Sequence, residues 1–240
     1  MDVVLQAFFG ASRINLEWVV VAVAAWFAQM GFHEGAHAFA ADRLGDRMPR
    51  MMGKCTINPF KHIEWNNSSY VIGAVVVPIV TAMMGWIPMG MAYVMHSRMS
   101  TKDEAKIAIA GPIGSFVVAL IGFALWVLVY PMVGAGNSSL NHFVHMACLA
   151  LVVVSIVYAV FNLIPLPPLD GGTVIYHFMN REGRDFLDRI RPYGFFILIA
   201  MFWILPRLSG GTLDVGYVFG KLIVYSIQLM ESVPKELWGM

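Results

Sequence analysis

Six apolar stretches, joined by short polar connections, make up most of this 240-residue chain. They cover residues 15–42, 70–95, 104–131, 140–166, 193–206 and 212–230. Stretches of about 20 apolar residues are long enough to cross the hydrocarbon core of a bilayer as helices. No internal repeat, low-complexity tract or polar segment of domain size interrupts them. The pattern therefore predicts one integral-membrane domain over residues 1–240.

Basic residues in the connections predict which of them face the cytoplasm. Lysine and arginine cluster after the first stretch, before the third and before the fifth, whereas residues 133–140 carry none. Because cytoplasmic connections are enriched in Lys and Arg, the basic ones should be cytoplasmic and residues 133–140 should lie outside. The clusters are Arg43, Arg47, Arg50, Lys54 and Lys61; Arg98, Lys102 and Lys106; and Arg181, Arg184, Arg189 and Arg191.

The stretch at residues 70–95 conflicts with this assignment if it crosses the membrane once, because both of its flanking connections are basic. Pro78, Gly85, Pro88 and Gly90 break it into two halves that are too short to span. We expect a re-entrant or in-plane element with both ends cytoplasmic, and a single kinked span is the alternative. The predicted fold is an all-α polytopic membrane protein with about five to six transmembrane helices and this element near residues 70–95.

Composition agrees with a membrane protein. Hydrophobic residues make up 58% of the chain, charged residues 13%, and the mean hydropathy is +0.68, unlike the balance of a soluble domain. A formal net charge of +1 gives no reason to expect a nucleic-acid partner. Residues 1–9 lack the basic start of a cleavable signal peptide. Cys55 and Cys148 fit no metal or redox spacing and indicate ordinary thiols.

One short motif within the first stretch carries specific chemistry. His33 and His37 are four residues apart, with Glu34 between them, in the order His-Glu-Gly-Ala-His. On a helix, side chains at i and i+4 face the same way, so the two imidazoles could hold one Zn²⁺ with the carboxylate beside it. Such an arrangement is typical of peptide hydrolysis. The alternative is a chance pattern around an ordinary buried histidine.

The position of the motif strengthens this interpretation. Residues 17–30 are almost entirely apolar and lead directly into His33, which lies about 24 Å along a helix from Glu17. Ionisable side chains at such a depth in a membrane are costly, and they indicate a functional site. A bound metal explains best why two neutral imidazoles and a carboxylate would be buried together.

A catalytic zinc site needs a third protein ligand and an open position. Asp170 is the candidate, because it follows the prolines that end the fourth stretch and precedes two glycines that allow a sharp turn. Irregular backbone at membrane depth occurs where it lines a cavity, so this segment should face the motif. Asn162 is a second polar group at the same end of the stretch, and an ordinary Pro-Gly loop would not predict such a pair.

The other histidines are weaker candidates. His62 follows the first stretch, near the cytoplasmic side, and could approach the site, although local hydrogen bonds in a loop are its expected role. His142 and His145 belong at the outer interface, because about 37 Å of helix separates His145 from Asp170.

Together these residues resemble the site-2 proteases, a family of intramembrane zinc metalloproteases (peptidase family M50). The chain is similar to the compact prokaryotic subgroup of that family over nearly its whole length. The residues that carry the resemblance are His33-Glu34-Gly35-Ala36-His37, Leu44-Gly45-Asp46, Asn58-Pro59 with His62-Ile63, Ala110-Gly111-Pro112, and Asn162 through Gly171 in the order Asn-x-x-Pro-x-x-x-Leu-Asp-Gly.

The resemblance implies one zinc ion per chain, bound by His33, His37 and Asp170. It implies Glu34 as general base, and Asn162 as a residue that positions the substrate or stabilises the oxyanion. It also implies a multi-pass cell-membrane protein whose active site faces the cytoplasmic side and whose substrates are membrane-anchored proteins.

Two departures from the family pattern matter. Where the subgroup continues with Asp-Pro after His62-Ile63, this chain has Glu64-Trp65, so the local turn should differ. No PDZ-like or nucleotide-sensing domain is expected within the sequence, which leaves the source of substrate selection open.

Two other functions could use an intramembrane His and Asp. A metal transporter would place further acidic or histidine residues along a path across the membrane, and the middles of the other stretches contain none. A proteolytically inactive, zinc-binding membrane scaffold is the remaining alternative. Glu34 favours the protease, because a structural zinc has its fourth position filled by protein and needs no carboxylate beside it.

Overall fold

The computed structural model describes residues 16–90, 97, 99–134 and 139–238. Within these ranges the regular structure is helical and contains no strand, which confirms the predicted all-α class. The helices are α1 (Leu16–Arg43), α2 (Met48–Met51), α3 (Ser68–Met83), α4 (Thr101–Gly134), α5 (Ser139–Asn162), α6 (Asp170–Phe178), α7 (Arg181–Ile190), α8 (Gly194–Ile199), α9 (Leu205–Leu208) and α10 (Val215–Trp238). π-Helical segments lie within α3 (Ile72–Val76) and between α8 and α9 (Ala200–Ile204).

Three of the described helices are long and apolar enough to cross a membrane. They are α1, residues Thr101–Val129 of α4, and α5. The apolar stretches at residues 193–206 and 212–230 fold as α8 with α9 and as α10, and neither qualifies as a span by length and composition. The predicted membrane class is confirmed, whereas the number of about five to six spans stays a prediction.

The helices α1, α4 and α5 pack against one another and form the core of the bundle. Ala22 and Ala25 of α1 are buried, and such small side chains let neighbouring helices approach closely. Trp26 ties α1 to two neighbours, because its ring meets Tyr158 of α5 edge-on at 5.0 Å between centroids and its Nε1 donates to the Ala74 carbonyl of α3 at 3.1 Å. The most buried large apolar side chains are Trp18, Trp26, Trp126, Met30, Leu149 and Met230.

The first half of the apolar stretch at residues 70–95 is α3, which lies against α1. It is shorter than the helices that qualify as spans. A turn ends it at Gly85, whose φ of 77° lies in the left-handed region that glycine adopts most easily. Residues 91–95 lie outside the described part of the chain, so the choice between a re-entrant element and a kinked span stays a prediction.

Residues 54–62, which we call the return segment, run back along α1 after that helix has ended. Successive residues of the segment contact α1 at positions from Ala38 back to Phe27, a length of about 16 Å of helix. The contacts are Cys55 Sγ to the Ala38 carbonyl at 3.6 Å, the carbonyls of Thr56 and Ile57 against Gly35 and Gly31, and the Phe60 ring to the Phe27 ring at 5.7 Å between centroids. The segment is therefore part of the bundle and not a connection extending away from it.

Lys54 belongs to the basic cluster after the first stretch, and it is buried, with 5% of its surface exposed. Its ammonium group lies 3.6 Å from the Glu64 carboxylate and donates to the His62 carbonyl at 3.4 Å. Trp65 donates through Nε1 to the Phe60 carbonyl at 3.2 Å. Thus Glu64 and Trp65, the residues that depart from the subgroup's Asp-Pro, close this turn through their side chains.

Candidate metal centre

The site is built by one face of α1 and by the start of α6. α1 carries His33 and His37 one turn apart, and α6 begins at Asp170, directly after the irregular segment that ends α5. Gly171 and Gly172 lie so close to this segment that a Cβ on either would overlap its backbone. The two glycines thus let α6 start tightly against the end of α5 and place Asp170 opposite the histidines.

The predicted ligands come together. Nε2 of His33 lies 3.1 Å from Oδ2 of Asp170, and Nε2 of His37 lies 3.4 Å from Oδ1. Two ligand atoms 2.0–2.1 Å from a tetrahedral metal are about 3.3–3.4 Å apart, so these distances fit zinc. Oδ2 of Asp170 is buried and has no partner with hydrogen-bond geometry within the described chain, as expected of an atom that faces a metal. No second group of metal-binding side chains is found among the described residues.

The remaining ring nitrogen of each histidine is held by α4. Nδ1 of His37 lies 2.7 Å from the Ile107 carbonyl, and Nδ1 of His33 lies 2.9 Å from Oγ of Ser115. Because a carbonyl only accepts, His37 carries a proton on Nδ1, and Nε2 is the ring nitrogen available to a metal. Ser115 in turn donates to Oε1 of Gln29 at 3.0 Å.

Sequence reasoning missed Ser115 and Gln29. Both are fully buried, and each is a polar residue within an apolar helix. Gln29 precedes His33 by one turn of α1, on the same helix face, which is a signal that the spacing does contain. The sequence shows Ser115 only as a hydroxyl within an apolar helix. It lies 82 residues from His33, and helix packing alone brings the two side chains together.

Gly111 brings the backbone of α4 directly onto the two ligands. A Cβ at this position would overlap Nε2 of His37 and would lie 2.7 Å from Nε2 of His33. Three residues later, a Cβ at Gly114 would lie 2.6 Å from the Phe32 carbonyl. The Ala110-Gly111-Pro112 motif therefore marks where α4 crosses the metal-ligand face of α1.

Glu34 lies on α1 between two differently packed faces. His33 and His37 face α4 and α6, whereas Gly31 and Gly35 face the return segment. At about 100° per residue, Glu34 falls roughly midway between the two directions. It is buried, with 3% of its surface exposed. Glu34 is therefore next to His33 on the helix and outside the ligand group.

Asn162 is the last residue of α5 and lies at the same helix end as the segment leading to Asp170. It is buried, and its Nδ2 donates to the Tyr158 carbonyl at 3.0 Å. The same amide also makes a side-chain hydrogen bond with the Tyr158 hydroxyl. The structure brings Asn162 to the predicted end of the bundle but not into the ligand group.

His62 does not join the ligand group either. It is fully buried, and its Nε2 donates to the Thr56 carbonyl at 2.8 Å, which confirms the expected local hydrogen bond. The same carbonyl lies against Gly35 of the zinc motif, so His62 lies close to that motif. Burial lowers the pKa of His62 and favours the neutral ring.

The two remaining candidate histidines lie at the other end of α1. Nε2 of His142 is 3.3 Å from the carboxylate of Glu17, in the first turn of that helix. The His145 ring lies 4.5 Å from the Trp126 ring between centroids. Both are remote from Asp170, as their sequence separation predicts.

Comparison with known proteins agrees with this geometry. The model of Peptidase family M50 matches residues 128–205. The chain is 30% identical over 177 residues to "Putative zinc metalloprotease YwhC" of Bacillus subtilis, an alignment that covers 71% of this chain and 74% of that protein. It is 27% identical over 206 residues to "Putative zinc metalloprotease Rip2" of Mycolicibacterium smegmatis, with 83% and 73% covered. No solved structure matches the chain.

Identity and coverage at this level, together with the family model, establish common descent with these relatives. The chain therefore belongs to peptidase family M50, the site-2 proteases.

Proposed function

We propose that this protein is an intramembrane zinc metalloprotease. It hydrolyses peptide bonds within or near the transmembrane segments of membrane-anchored proteins and thereby releases them from the membrane. The observation that carries the proposal is the convergence of His33, His37 and Asp170, with Glu34 beside them, among helices apolar enough to cross a membrane. The names of the relatives, which contain the words zinc metalloprotease, support the same activity.

In this proposal His33, His37 and Asp170 hold one zinc ion per chain. Two neutral imidazoles and one carboxylate form a ligand set typical of catalytic zinc and leave the fourth position open. Bound there, zinc supplies Lewis-acid activation of water and of the scissile carbonyl. Gly111 presents no side chain to the two Nε2 atoms, so α4 does not fill the space between them.

Glu34 is the general base. It takes a proton from the attacking water and later gives that proton to the leaving nitrogen of the peptide bond. Asn162 acts on the substrate, either by holding its backbone or by stabilising the carbonyl oxygen as negative charge develops there.

The substrate must lose helical structure before it is cleaved. The carbonyls of a transmembrane helix are engaged in its own hydrogen bonds, and the lipid offers no replacement partner. We therefore expect substrates to carry Gly, Asn or Pro near the cleaved bond, because these residues weaken a helix.

We place the protein in the cell membrane as a multi-pass protein with its active site toward the cytoplasmic side. The metal ligands on α1 lie in the second half of that helix. Arg43, Arg47 and Arg50 follow directly, and basic residues of this kind mark the cytoplasmic end of a span.

The variant Glu34→Gln tests the proposal. The full chain, reconstituted in liposomes with a membrane-anchored substrate whose span contains Gly and Pro, is analysed for zinc content and for cleavage. We expect about one zinc per chain, and a loss of cleavage by at least about 100-fold, because the base is gone while the ligands remain. Glu17→Gln is the matched control, since Glu17 lies on the same helix at its exposed outer end.

Retained turnover in Glu34→Gln would remove this residue from its role. A wild-type protein that binds zinc but cleaves none of the membrane-anchored proteins of its own cell, as judged by comparing the membrane proteome with and without the active chain, would favour the zinc-binding scaffold.

A further inference from the structure

We propose that Ser115 and Gln29 are positioning residues for His33, and that they hold its imidazole in the one tautomer that can bind zinc. The inference rests on the proposed function only in taking His33, His37 and Asp170 as the metal ligands. A continuous hydrogen-bonded chain runs from Nδ1 of His33 to Oγ of Ser115 at 2.9 Å and on to Oε1 of Gln29 at 3.0 Å. The three side chains are 2%, 0% and 0% exposed, so water does not replace these partners.

The two histidine ligands differ in how their tautomer is set. Nδ1 of His37 faces the Ile107 carbonyl, which accepts and never donates, so the backbone alone puts the proton on Nδ1. Nδ1 of His33 faces a hydroxyl, which can either accept or donate. The tautomer of His33 therefore depends on which atom accepts the hydrogen bond that the Ser115 hydroxyl donates.

Gln29 decides that direction. With Oε1 toward Ser115, the hydroxyl donates to Gln29 and accepts the Nδ1 proton of His33, which leaves Nε2 free for a metal. With the amide reversed, Nε2 of Gln29 would donate to Ser115, the hydroxyl would donate to Nδ1, and the proton of His33 would sit on its metal-binding nitrogen. Gln29 thus acts on a ligand through an intervening hydroxyl.

The observed orientation of the Gln29 amide leaves one polar group unpaired, and this cost in free energy supports a role for its oxygen. Nε2 of Gln29 is buried and has no hydrogen-bond partner among the described residues. Buried donors without partners are rare and unfavourable. A leucine of similar size would avoid the unpaired group, so the acceptor oxygen is the feature of Gln29 that the site uses.

Zinc affinity, measured by chelator competition on the full chain in detergent, tests the inference. Ser115→Ala and Gln29→Leu should each weaken zinc binding about 10- to 100-fold, as loss of the groups that orient a metal ligand does. The double variant should bind zinc as tightly as Ser115→Ala alone, because both substitutions interrupt the same series of hydrogen bonds. Gln29→Glu retains an acceptor oxygen toward Ser115 and should bind zinc as the wild type does.

Ser155→Ala is the matched control, because Ser155 is an equally buried serine, on α5, whose hydroxyl has no partner among the described residues. Its zinc affinity should not change. Wild-type affinity in Ser115→Ala and Gln29→Leu would overturn the inference. So would equal weakening by Gln29→Leu and Gln29→Glu, since packing and not the acceptor would then be responsible. A wild-type chain that binds no zinc would instead overturn the proposed function, and this inference with it.

Discussion

The two faces of α1 around the metal-ligand motif are packed by opposite means. Toward α4 and α6, polar side chains make directed contacts, such as those of His33 with Ser115 and of His37 with the Ile107 carbonyl. Toward the return segment the helix presents no side chain at Gly31 and Gly35, and the carbonyls of Ile57 and Thr56 lie directly against these two glycines.

This difference shows that one short motif serves two structural purposes. On the ligand face, hydrogen-bond direction orients the imidazoles for a metal. On the glycine face, the missing Cβ atoms allow a second backbone to lie within contact of the helix. We expect changes on the first face to act on zinc, and changes on the second to act on the position of the return segment while zinc stays bound.

The largest effect is expected on the ligand face, from Asp170→Ala. Two imidazoles alone hold zinc weakly, so both the metal and cleavage should be lost to below detection. Metal analysis after dialysis and a cleavage assay measure this. Asp188→Ala is the control, because Asp188 accepts from the Tyr176 hydroxyl at 3.0 Å, outside the ligand group. Full zinc occupancy in Asp170→Ala would assign the third ligand elsewhere, with His62 the first residue to examine.

The second-largest effect is expected from Gly111→Ala, and its comparison with Gly114→Ala distinguishes displacement of the metal ligands from disturbed packing of α4 on α1. Gly111→Ala should displace the His37 ring and reduce cleavage about 100-fold, because catalytic groups misplaced by about 1 Å lose activity on that scale. Its zinc affinity should fall as well. Gly114→Ala introduces a comparable clash, with the Phe32 carbonyl, but should keep its zinc. Equal loss of zinc in both variants would mean that packing of α4 on α1, and not access to the ligands, controls the site.

Gly35→Ala probes the glycine face. The added methyl group would lie 2.6 Å from the Thr56 carbonyl and should push the return segment outward, at a cost in stability of about 1–3 kcal/mol. Zinc should stay near one per chain, while Cys55, on the same segment, reacts faster with a thiol reagent in a Cys148→Ala background. Gly216→Ala in α10 is the control, because no neighbour closer than 3.1 Å opposes its methyl group. Loss of zinc in Gly35→Ala, or unchanged Cys55 labelling, would contradict the separation of the two faces.

The smallest effect concerns pH and His62. Burial lowers its pKa below the ordinary 6.5, so the folded chain binds fewer protons at this ring than the unfolded chain does as the pH falls below about 6.5. The stabilisation from neutral His62 is complete above that pH and decreases below it. The ratio of the Cys55 labelling rate in the wild type to that in His62→Gln should therefore increase from pH 7 to pH 5. Glutamine keeps a donor toward Thr56 but does not titrate. Identical pH profiles for the two proteins would show that His62 does not control the segment.

Much of the site was predictable because its signals are local. The i, i+4 spacing of His33 and His37 places both on one helix face whatever surrounds them. Asp170 follows from the requirement for a third ligand and from irregular backbone at an apolar helix end. The return segment was not predictable from charge, since the sequence alone does not show that Lys54 is buried against Glu64 and the His62 carbonyl.

The sequence by itself determined the all-α membrane class, the metal-ligand motif and the identity of the residues that meet at the site, because hydropathy and helical periodicity are properties of neighbouring residues. Tertiary structure decided which backbone covers each face of α1, why Gly111 must lack a side chain, and how Ser115 and Gln29 reach His33. Those contacts join Gln29 to Ser115 across 86 residues, and only the packing of α4 against α1 fixes their register.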